Sequence, residues 1–434
     1  MTVTPPPELH PDPLPRDTMP GCALPGTPLA DALPGINACV HCGFCLQACP
    51  TYLNLEDEND SPRGRIFLMR SLLEGTVGPD DPTVKQHIDQ CLGCRACEPV
   101  CPSGVPYGQL LEATRATLRE HQRISLIARL ILFVFAREWL LRPAMFFSRI
   151  LAATPIPTLL SGVKGRLGFS MAMLASTGRS IERSRYQPVT RGERGRVATL
   201  RGCVMEGLFS TTNRATERVL AVNGYSIVGD PGQQCCGALH AHAGDLDTAR
   251  ILARRNIDAF ERSGAELIAV NAAGCGAIMK EYGHLLKDEA EWYQRAAQTS
   301  ARVRDVSELL AAAGPRVGGP LPIKVTYDAP CHLLHAQRVT QAPLSVLAAI
   351  PGLELVPLHD SDQCCGSAGI YNLIEPDTSD AVLEPKLANI RATGAPWVAT
   401  GNPGCLMQIG AGLIRAEINA RSIHPVDLLD ASYA

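Results

Sequence analysis

The chain has 434 residues, enough for two or three domains, and 46% of them are hydrophobic, so sizeable cores are available. Its formal net charge is only −3, which gives no global basis for binding nucleic acid. Seventeen cysteines would suggest disulfides in a secreted protein, but the N-terminus has neither the basic start nor the apolar run of a signal peptide. We therefore expect reduced, metal-binding thiols in the cytoplasm.

Residues 1–34 are rich in proline and show no apolar periodicity, so the sequence predicts a poorly ordered lead-in. Cys22 lies in this segment and is the only cysteine outside a repeated pattern. We interpret it as a bystander thiol.

The next segment, 35–120, contains two copies of the motif C-x2-C-x2-C-x3-C-P. The copies comprise Cys39, Cys42, Cys45 and Cys49, and then Cys91, Cys94, Cys97 and Cys101. In two-cluster ferredoxins the first three thiolates of a copy bind one [4Fe-4S] cube and the fourth binds the other cube. We therefore assign Cys39, Cys42, Cys45 and Cys101 to one cluster, and Cys91, Cys94, Cys97 and Cys49 to the other. Zinc, which favours two separated cysteine pairs, fits this spacing poorly.

Two short patterns accompany the motifs. Ser61 followed by Pro62 predicts a helix cap with proline in the first turn. Arg63 and Arg65 follow, and two interpretations stay open: they offset the negative charge of thiolate-bound iron, or they are ordinary solvated side chains. After the second motif, the apolar spacing over 110–118 predicts a short amphipathic helix.

The segment 121–194 predicts basic amphipathic helices. Residues 121–196 hold thirteen lysine or arginine residues against three acidic ones, a net charge of +10. Apolar runs alternate with these charges, and no window approaches the roughly 20 apolar residues that span a bilayer. Three interpretations stay open: helices lying in a membrane interface, a face buried against a partner subunit, or an intrachain hairpin packed on the cluster unit.

Two repeats, 195–320 and 321–434, complete the chain. Their landmarks recur at separations of 128 to 130 residues, which indicates duplication. The first repeat contains Cys203, the adjacent pair Cys235 and Cys236, and Cys275; the second contains Cys331, the pair Cys364 and Cys365, and Cys405. Strand-like runs alternate with helical stretches, as in βαβ units, and several of these cysteines follow a strand. The thiols are therefore expected at the carboxyl edge of a parallel sheet.

Each repeat thus supplies four cysteines to one candidate metal site. Two adjacent thiolates together with two distant ones suit a four-sulfur site. The weaker alternative is that all eight cysteines are ordinary buried core residues, which would have to recur in register by chance. The sequence leaves open whether an iron-sulfur cluster or zinc occupies these sites. Four histidines lie near the cysteines in the sequence: His240, His242, His332 and His335. For each, a structural histidine with ordinary hydrogen-bond partners is the simpler interpretation.

The order of these motifs resembles the iron-sulfur subunit of bacterial glycolate oxidase. The closest phrases are A-C-V-H-C-G-F-C-L-Q-A-C-P-T-Y, D-S-P-R-G-R-I and C-P-S-G-V-P-Y, which begin at Ala38, Asp60 and Cys101. Iron-sulfur subunits of glycerol-3-phosphate dehydrogenase, lactate-utilisation systems and heterodisulfide reductase share the combination. The resemblance implies an α+β multidomain fold, with a helical bis-[4Fe-4S] ferredoxin-like domain followed by two α/β CCG domains.

The resemblance also implies a function. Separate FAD-binding flavoprotein subunits would oxidise glycolate to glyoxylate, and this subunit would pass the electrons toward a quinone-linked acceptor, peripherally on the cytoplasmic face of the inner membrane. One departure matters: in heterodisulfide reductase the CCG module ends in C-x2-C, whereas Ile278 and Gln408 stand at the closing positions here. Neither residue can replace a thiolate, which argues against that enzyme's cluster type and its disulfide chemistry.

Three hypotheses follow. The first is an electron-transfer subunit of a dehydrogenase acting on CH–OH, with no catalytic residue of its own, because no Gly-rich dinucleotide motif opens a βαβ unit. Its partner would act on glycolate or, as alternatives, on D-lactate or glycerol 3-phosphate. The second is a thiol-disulfide reductase that uses the CCG sites. The third is a scaffold whose CCG sites hold zinc.

Overall fold

The computed structural model describes residues 21–177 and 194–433. Its N-terminal unit consists of six short helices around one apolar core formed by residues such as Ile36, Met69 and Leu110. The helices are α1 (Pro28–Asp31), α2 (Leu33–Asn37), α3 (Pro50–Leu55), α4 (Pro62–Glu74), α5 (Pro82–Asp89) and α6 (Tyr107–His121), with a 3-10 turn over Glu58–Asp60.

The prediction of a poorly ordered lead-in is wrong for residues 21–34. Leu29 is fully buried, and its backbone N–H donates to Thr117 Oγ1 at 3.1 Å. Leu24 and Leu33 enter the same core. Pro28 lies in the first turn of α1, so a proline that looked like a sign of disorder begins a helix. Residues 1–20 lie outside the described part of the chain.

Two local predictions are confirmed. The Ser61 hydroxyl accepts a hydrogen bond from Gly64 N at 2.9 Å, and Pro62 begins α4. Helix α6 buries Leu110, Leu111 and Leu118 on one face, as the apolar spacing indicated.

Four helices follow: α7 (Leu126–Phe135), α8 (Glu138–Ala152), α9 (Ile156–Leu160) and α10 (Arg166–Ala175). They pack within the chain, mainly on the repeats: Phe169 of α10 lies in a core of the second repeat, and Arg149 of α8 donates to Gly207 O at 3.0 Å in the first. Residues 178–193 of this segment lie outside the described part. Among the described helices, none combines the length and the apolar character needed to cross a membrane.

Each repeat contains a four-stranded parallel sheet. The strands are β1 (Arg196–Thr199), β2 (Ser226–Val228), β3 (Leu267–Val270) and β4 (Val303–Asp305), then β5 (Lys324–Tyr327), β6 (Glu354–Val356), β7 (Trp397–Ala399) and β8 (Arg421–Ile423). The strand orders are β2-β1-β3-β4 and β6-β5-β7-β8. Val197 pairs with Ile227 and Leu267, and Val325 pairs with Leu355 and Trp397, so the registers match. The predicted α+β fold with two duplicated α/β domains is confirmed.

Helices flank both sheets. The first repeat contains α11 (Val204–Leu208), α12 (Ser210–Val222), α13 (Ala238–His242), α14 (Leu246–Ser263), α15 (Ala273–Lys280), α16 (Tyr282–Leu285), α17 (Ala290–Arg302) and α18 (Val306–Ala313). The second contains a π-helical turn (His332–Ala336), then α19 (Ala342–Ala348), α20 (Tyr371–Ile374), α21 (Pro376–Thr393), α22 (Pro403–Arg415) and α23 (Pro425–Tyr433).

The repeats pack against each other reciprocally. The last helix of each repeat, α18 or α23, lies on an early helix of the other, α19 or α12. One apolar core draws residues from both repeats, among them Val219 and Leu428. The Arg218 guanidinium binds the Asp430 carboxylate at 2.6 and 2.8 Å across this interface. This packing fixes the position of one candidate metal site relative to the other.

Candidate iron-sulfur sites

The two ferredoxin-type loops share a turn geometry. In each, the residues that flank the second cysteine have positive φ: His41 (54°) and Gly43 (85°) around Cys42, and Gly93 and Arg95 (both 62°) around Cys94. Glycine suits two of these four positions because it has no Cβ to clash there. Such turns curl the loop so that successive thiols face the same side.

The first loop surrounds a cavity together with the end of the second. Cys39, Cys42, Cys45 and Cys101 line it, and Cys97 lines it as well. These first four are the thiols assigned to one cluster from the spacing. Burial raises the pKa of Cys45 to about 11, so metal binding at this site has to release protons.

The other predicted set is more deeply buried. Cys49, Cys91, Cys94 and Cys97 each expose less than a tenth of their surface. Burial raises the pKa of Cys97, and its neighbours Cys94, Cys91 and Cys49 raise it further because each would add a like charge. Four buried thiols that are mutual neighbours fit a cluster of iron ions, whose positive charge would stabilise all four thiolates.

Both arginines of the S-P-R-G-R segment lie near these cysteines. The Arg63 side chain lines the first cavity and donates to His41 O at 3.3 Å. Arg65 is fully buried and binds Asp60 Oδ1 at 3.0 Å, Thr51 Oγ1 at 3.0 Å and His87 O at 2.6 Å. Burial opposes its charge, but the nearby Cys91, Tyr107, Cys49 and Asp60 hold its pKa above the ordinary value. For Arg65 the interpretation that it offsets thiolate charge is therefore favoured over a solvated side chain. Arg63 is partly exposed and pairs with Glu58 at 2.8 Å, so both interpretations stay open for it.

The first repeat gathers its four cysteines into one cluster of sulfurs. Cys203, which follows β1, hydrogen bonds Cys235, and Cys236 hydrogen bonds both Cys235 and Cys275. Hydrogen bonds from Cys203 and Cys236 lower the pKa of Cys235 well below the ordinary thiol value. Cys275 belongs to α15, directly after β3, so the carboxyl edge of the sheet positions the site as predicted.

The second repeat forms an equivalent site. Cys364 hydrogen bonds Cys331 and Cys365, and the Cys365 and Cys405 sulfurs lie 3.2 Å apart. A buried lysine distinguishes this site from the first. Lys386 Nζ lies 2.6 Å from Asp328 Oδ1, and its charge lowers the pKa of Cys365 after the larger effects of the hydrogen bonds to Cys364 and Cys405.

Two contacts place the sites next to one another. Cys94 of the second ferredoxin-type loop packs with Cys364 and Cys331 in one buried cluster, so the dicluster unit adjoins the site in the second repeat. Asn402 connects the two repeat sites, because its Oδ1 accepts from Gly274 N at 3.2 Å and its Nδ2 lies 3.5 Å from Cys405 Sγ. The cysteine sites are therefore a contiguous series and not isolated metal-binding patches.

The closing positions of the repeats offer no ligand. Ile278 is buried in the apolar core of the first repeat. Gln408 is fully buried, and its amide donates to Ser379 Oγ and accepts from Asn372 Nδ2, both at 2.8 Å. Each repeat therefore presents four sulfurs of its own.

The four histidines divide into two pairs. His240 and His335 have ordinary structural partners, since their Nε2 atoms hydrogen bond Leu132 O and Asp362 O, both at 3.1 Å. His242 and His332 instead stack on each other, with ring centroids 5.2 Å apart. Sequence reasoning missed this pair, as well as Lys386 and Asn402, because each contact joins segments far apart in the chain.

These thiol groups fit iron-sulfur clusters, which supply one-electron transfer when bound. The chain would hold them with the cysteines above and tune them through burial, Arg65 and Lys386. The choice of ligands for each cluster stays a prediction.

Comparison with known proteins agrees with this architecture. A family profile for a 4Fe-4S dicluster domain matches residues 35–105, and the profile of the cysteine-rich CCG domain matches 197–280 and 325–410. Fold and sites thus define an iron-sulfur electron-transfer protein with one dicluster domain and two cysteine-rich domains.

Two relatives match over most of both chains. The "Probable glycolate oxidase iron-sulfur subunit" of Bacillus subtilis is 39% identical, covering 90% of this chain and 92% of that protein. The "Glycolate oxidase iron-sulfur subunit" of Escherichia coli is 36% identical, covering 85% and 88%. The chain belongs to the family of glycolate oxidase iron-sulfur subunits. A "Lactate utilization protein A" of Shouchella clausii is 30% identical over 51% of this chain and 91% of that protein.

Proposed function

We propose that this chain carries electrons from a flavoprotein that oxidises glycolate to glyoxylate. The oxidation releases two electrons and two protons, and iron-sulfur clusters bound at the cysteine sites would accept the electrons singly. The observation that carries the proposal is the packing of Cys94 against Cys364 and Cys331, which joins the dicluster domain to the second repeat. A relay needs redox centres in close succession, whereas a zinc scaffold does not.

The expected result is cluster reduction that depends on the flavoprotein. Anaerobic holoprotein mixed with the co-purifying FAD subunits and glycolate should show the paramagnetic resonance of reduced [4Fe-4S] clusters. D-Lactate and glycerol 3-phosphate are matched controls that separate the alternative partners. Turnover of glycolate by this chain without the flavoprotein would contradict the proposal, as would clusters that stay oxidised in the complete mixture.

The electrons are proposed to leave toward a quinone, with the chain lying peripherally on the cytoplasmic face of the inner membrane. Helices α7 and α8 expose large apolar side chains beside basic ones: Trp139 is 72% exposed and Phe147 66% exposed, and Arg142 and Arg149 lie on the same helix. This combination fits an anionic lipid surface.

The membrane proposal predicts co-sedimentation with anionic lipid vesicles. Phe147→Glu should weaken that binding because it sets a carboxylate on the apolar face. Val317→Glu, at an equally exposed apolar residue outside these helices, is the control. Equal binding by both variants would contradict the proposed surface.

A further inference from the structure

A cavity of about 420 Å³ lies where the dicluster domain, α7 and both repeats meet. Its walls are mostly apolar, with contributions from Leu92, Leu118, Ile124, Ala128, Leu239 and Ile370. Cys91, assigned to a cluster, lines the same space. The cavity therefore offers an apolar compartment directly beside a redox centre.

Two stacked histidines are among the polar residues of this cavity. His242 and His332 both line it, and their rings are nearly parallel, at 11°. The Nε2 atom of each is buried and finds no hydrogen-bond partner among the described residues. Glu112 Oε1 binds His242 Nδ1 at 2.9 Å, which fixes that ring while its Nε2 stays available. Buried polar atoms without partners are costly, so a ligand that hydrogen bonds them would be stabilised.

The pair lies among the cysteine sites. His332 directly follows Cys331 of the second repeat, and its Nδ1 lies against Gly274, which precedes Cys275 of the first. A ligand beside these rings would thus be close to the second ferredoxin-type loop and to both repeats. That position suits a molecule that exchanges electrons.

The outer wall of the cavity connects to the exposed apolar surface. Ala128 of α7 faces inward, whereas Leu126 and Leu130 of the same helix are 78% and 65% exposed. A ligand with a hydrophobic tail can therefore lie with its head inside the cavity and its tail along α7.

We propose that this cavity binds the ring of a lipid-soluble quinone, with its carbonyl oxygens at the Nε2 atoms of His242 and His332. The proposal deepens and rests on the proposed function, for which it names the electron-accepting site. Quinone reduction converts two carbonyl groups to hydroxyl groups. It consumes two electrons, delivered singly by reduced [4Fe-4S] clusters, and two protons from water. The two rings suit different ends of this change. The Glu112 carboxylate accepts the Nδ1 hydrogen of His242, so the bare Nε2 of the neutral ring accepts from a quinol hydroxyl. His332 can carry its hydrogen on Nε2 and donate it to a quinone carbonyl.

A small hydroxy acid is the rival ligand, because arginines also line the cavity. Arg115 is committed to the backbone, donating to His242 O at 2.9 Å and Cys91 O at 2.7 Å. Arg119 pairs with Asp245 at 3.2 Å, and its buried Nη1 has no partner among the residues that the structure describes. Arg123 also lines the cavity, but its side chain is exposed to solvent, so Arg119 offers the buried donor that a carboxylate would meet. A buried donor set this small, against largely apolar walls, favours the quinone.

Photolabelling of the anaerobic holoprotein with a short-chain azidoquinone tests the proposal. Peptide mass spectrometry should find the label in α13 or in 368–374, and unlabelled quinone should compete while glycolate should not. Ile374→Trp narrows the cavity at a partly buried position and should lower labelling by roughly tenfold or more. Ile251→Trp, at an isoleucine 41% exposed on α14, is the matched control.

His242→Phe is a second variant that keeps a stacked ring but removes the nitrogens. We expect weaker labelling with unchanged cluster resonance, which also shows that the variant folds. Labelling confined to the outer face of α7 and α8, labelling displaced by glycolate, or labelling unchanged in Ile374→Trp and His242→Phe would each overturn the site. The assay uses neither flavoprotein nor glycolate oxidation, so its failure is distinguishable from failure of the proposed function.

Discussion

Lys386→Met is expected to lower the free energy of unfolding by about 3–5 kcal/mol. Lys386 is 3% exposed, and its ammonium donates to Asp328 Oδ1 at 2.6 Å and lies 3.3 Å from the Asp360 and Ser361 carbonyl oxygens. Burial alone would lower the pKa of Lys386, but the Asp328 carboxylate raises it, so the charged form persists. Removing the cation leaves a buried carboxylate without its counter-charge. Denaturant unfolding of the anaerobic holoprotein measures the loss.

The first repeat supplies the control for this prediction. Leu200 and Asn256 occupy the positions equivalent to Asp328 and Lys386, so the fold does not require an ion pair there. Lys386→Met combined with Asp328→Leu should recover most of the lost stability, because apolar residues often replace a buried pair at little cost. Lys324→Met, which breaks an exposed pair with Glu354, should cost no more than about 1 kcal/mol. A double variant as unstable as the single one would contradict this account.

Local patterns in the sequence predicted the parts of the molecule that depend on neighbours along the chain. The cysteine spacing, the Ser61 cap and the amphipathic face of α6 each lie within a few turns of backbone. The duplication was also visible, because equal separations of landmarks need no knowledge of tertiary contacts. The position of the repeat cysteines at the carboxyl edge of each sheet also followed from the sequence, because cysteines come between a strand and a helix.

Contacts between distant segments were beyond that reasoning. His242 and His332 stack on each other although they belong to different repeats and lie far apart in the sequence. For each histidine considered alone, a structural role was the simpler interpretation. The motif identified Cys94 as a cluster ligand, but its packing against Cys364 depends on how the domains dock. The lead-in was misjudged because its few leucines become a core only when α6 is placed beside them.

The crossed ligand assignment predicts which cysteine variants share a phenotype. Cys101→Ala should affect the same cluster as Cys42→Ala, although the two residues belong to different motifs, because both line the first cavity. Cys49→Ala should instead match Cys91→Ala, since Cys49 and Cys91 are electrostatic neighbours in the buried set. Each variant should lose up to about four iron atoms and one of two paramagnetic signals.

Iron analysis and paramagnetic resonance of the anaerobically prepared variants measure which cluster each variant loses. Cys22→Ala is the control, because Cys22 lies in the packed N-terminal segment outside both motifs and should leave iron content unchanged. If Cys101→Ala removed the signal that Cys91→Ala removes, each motif would hold its own cluster and the crossing would be wrong. The crossed result would mean that neither loop completes a cluster alone, so that the two loops and both clusters form one cooperative unit.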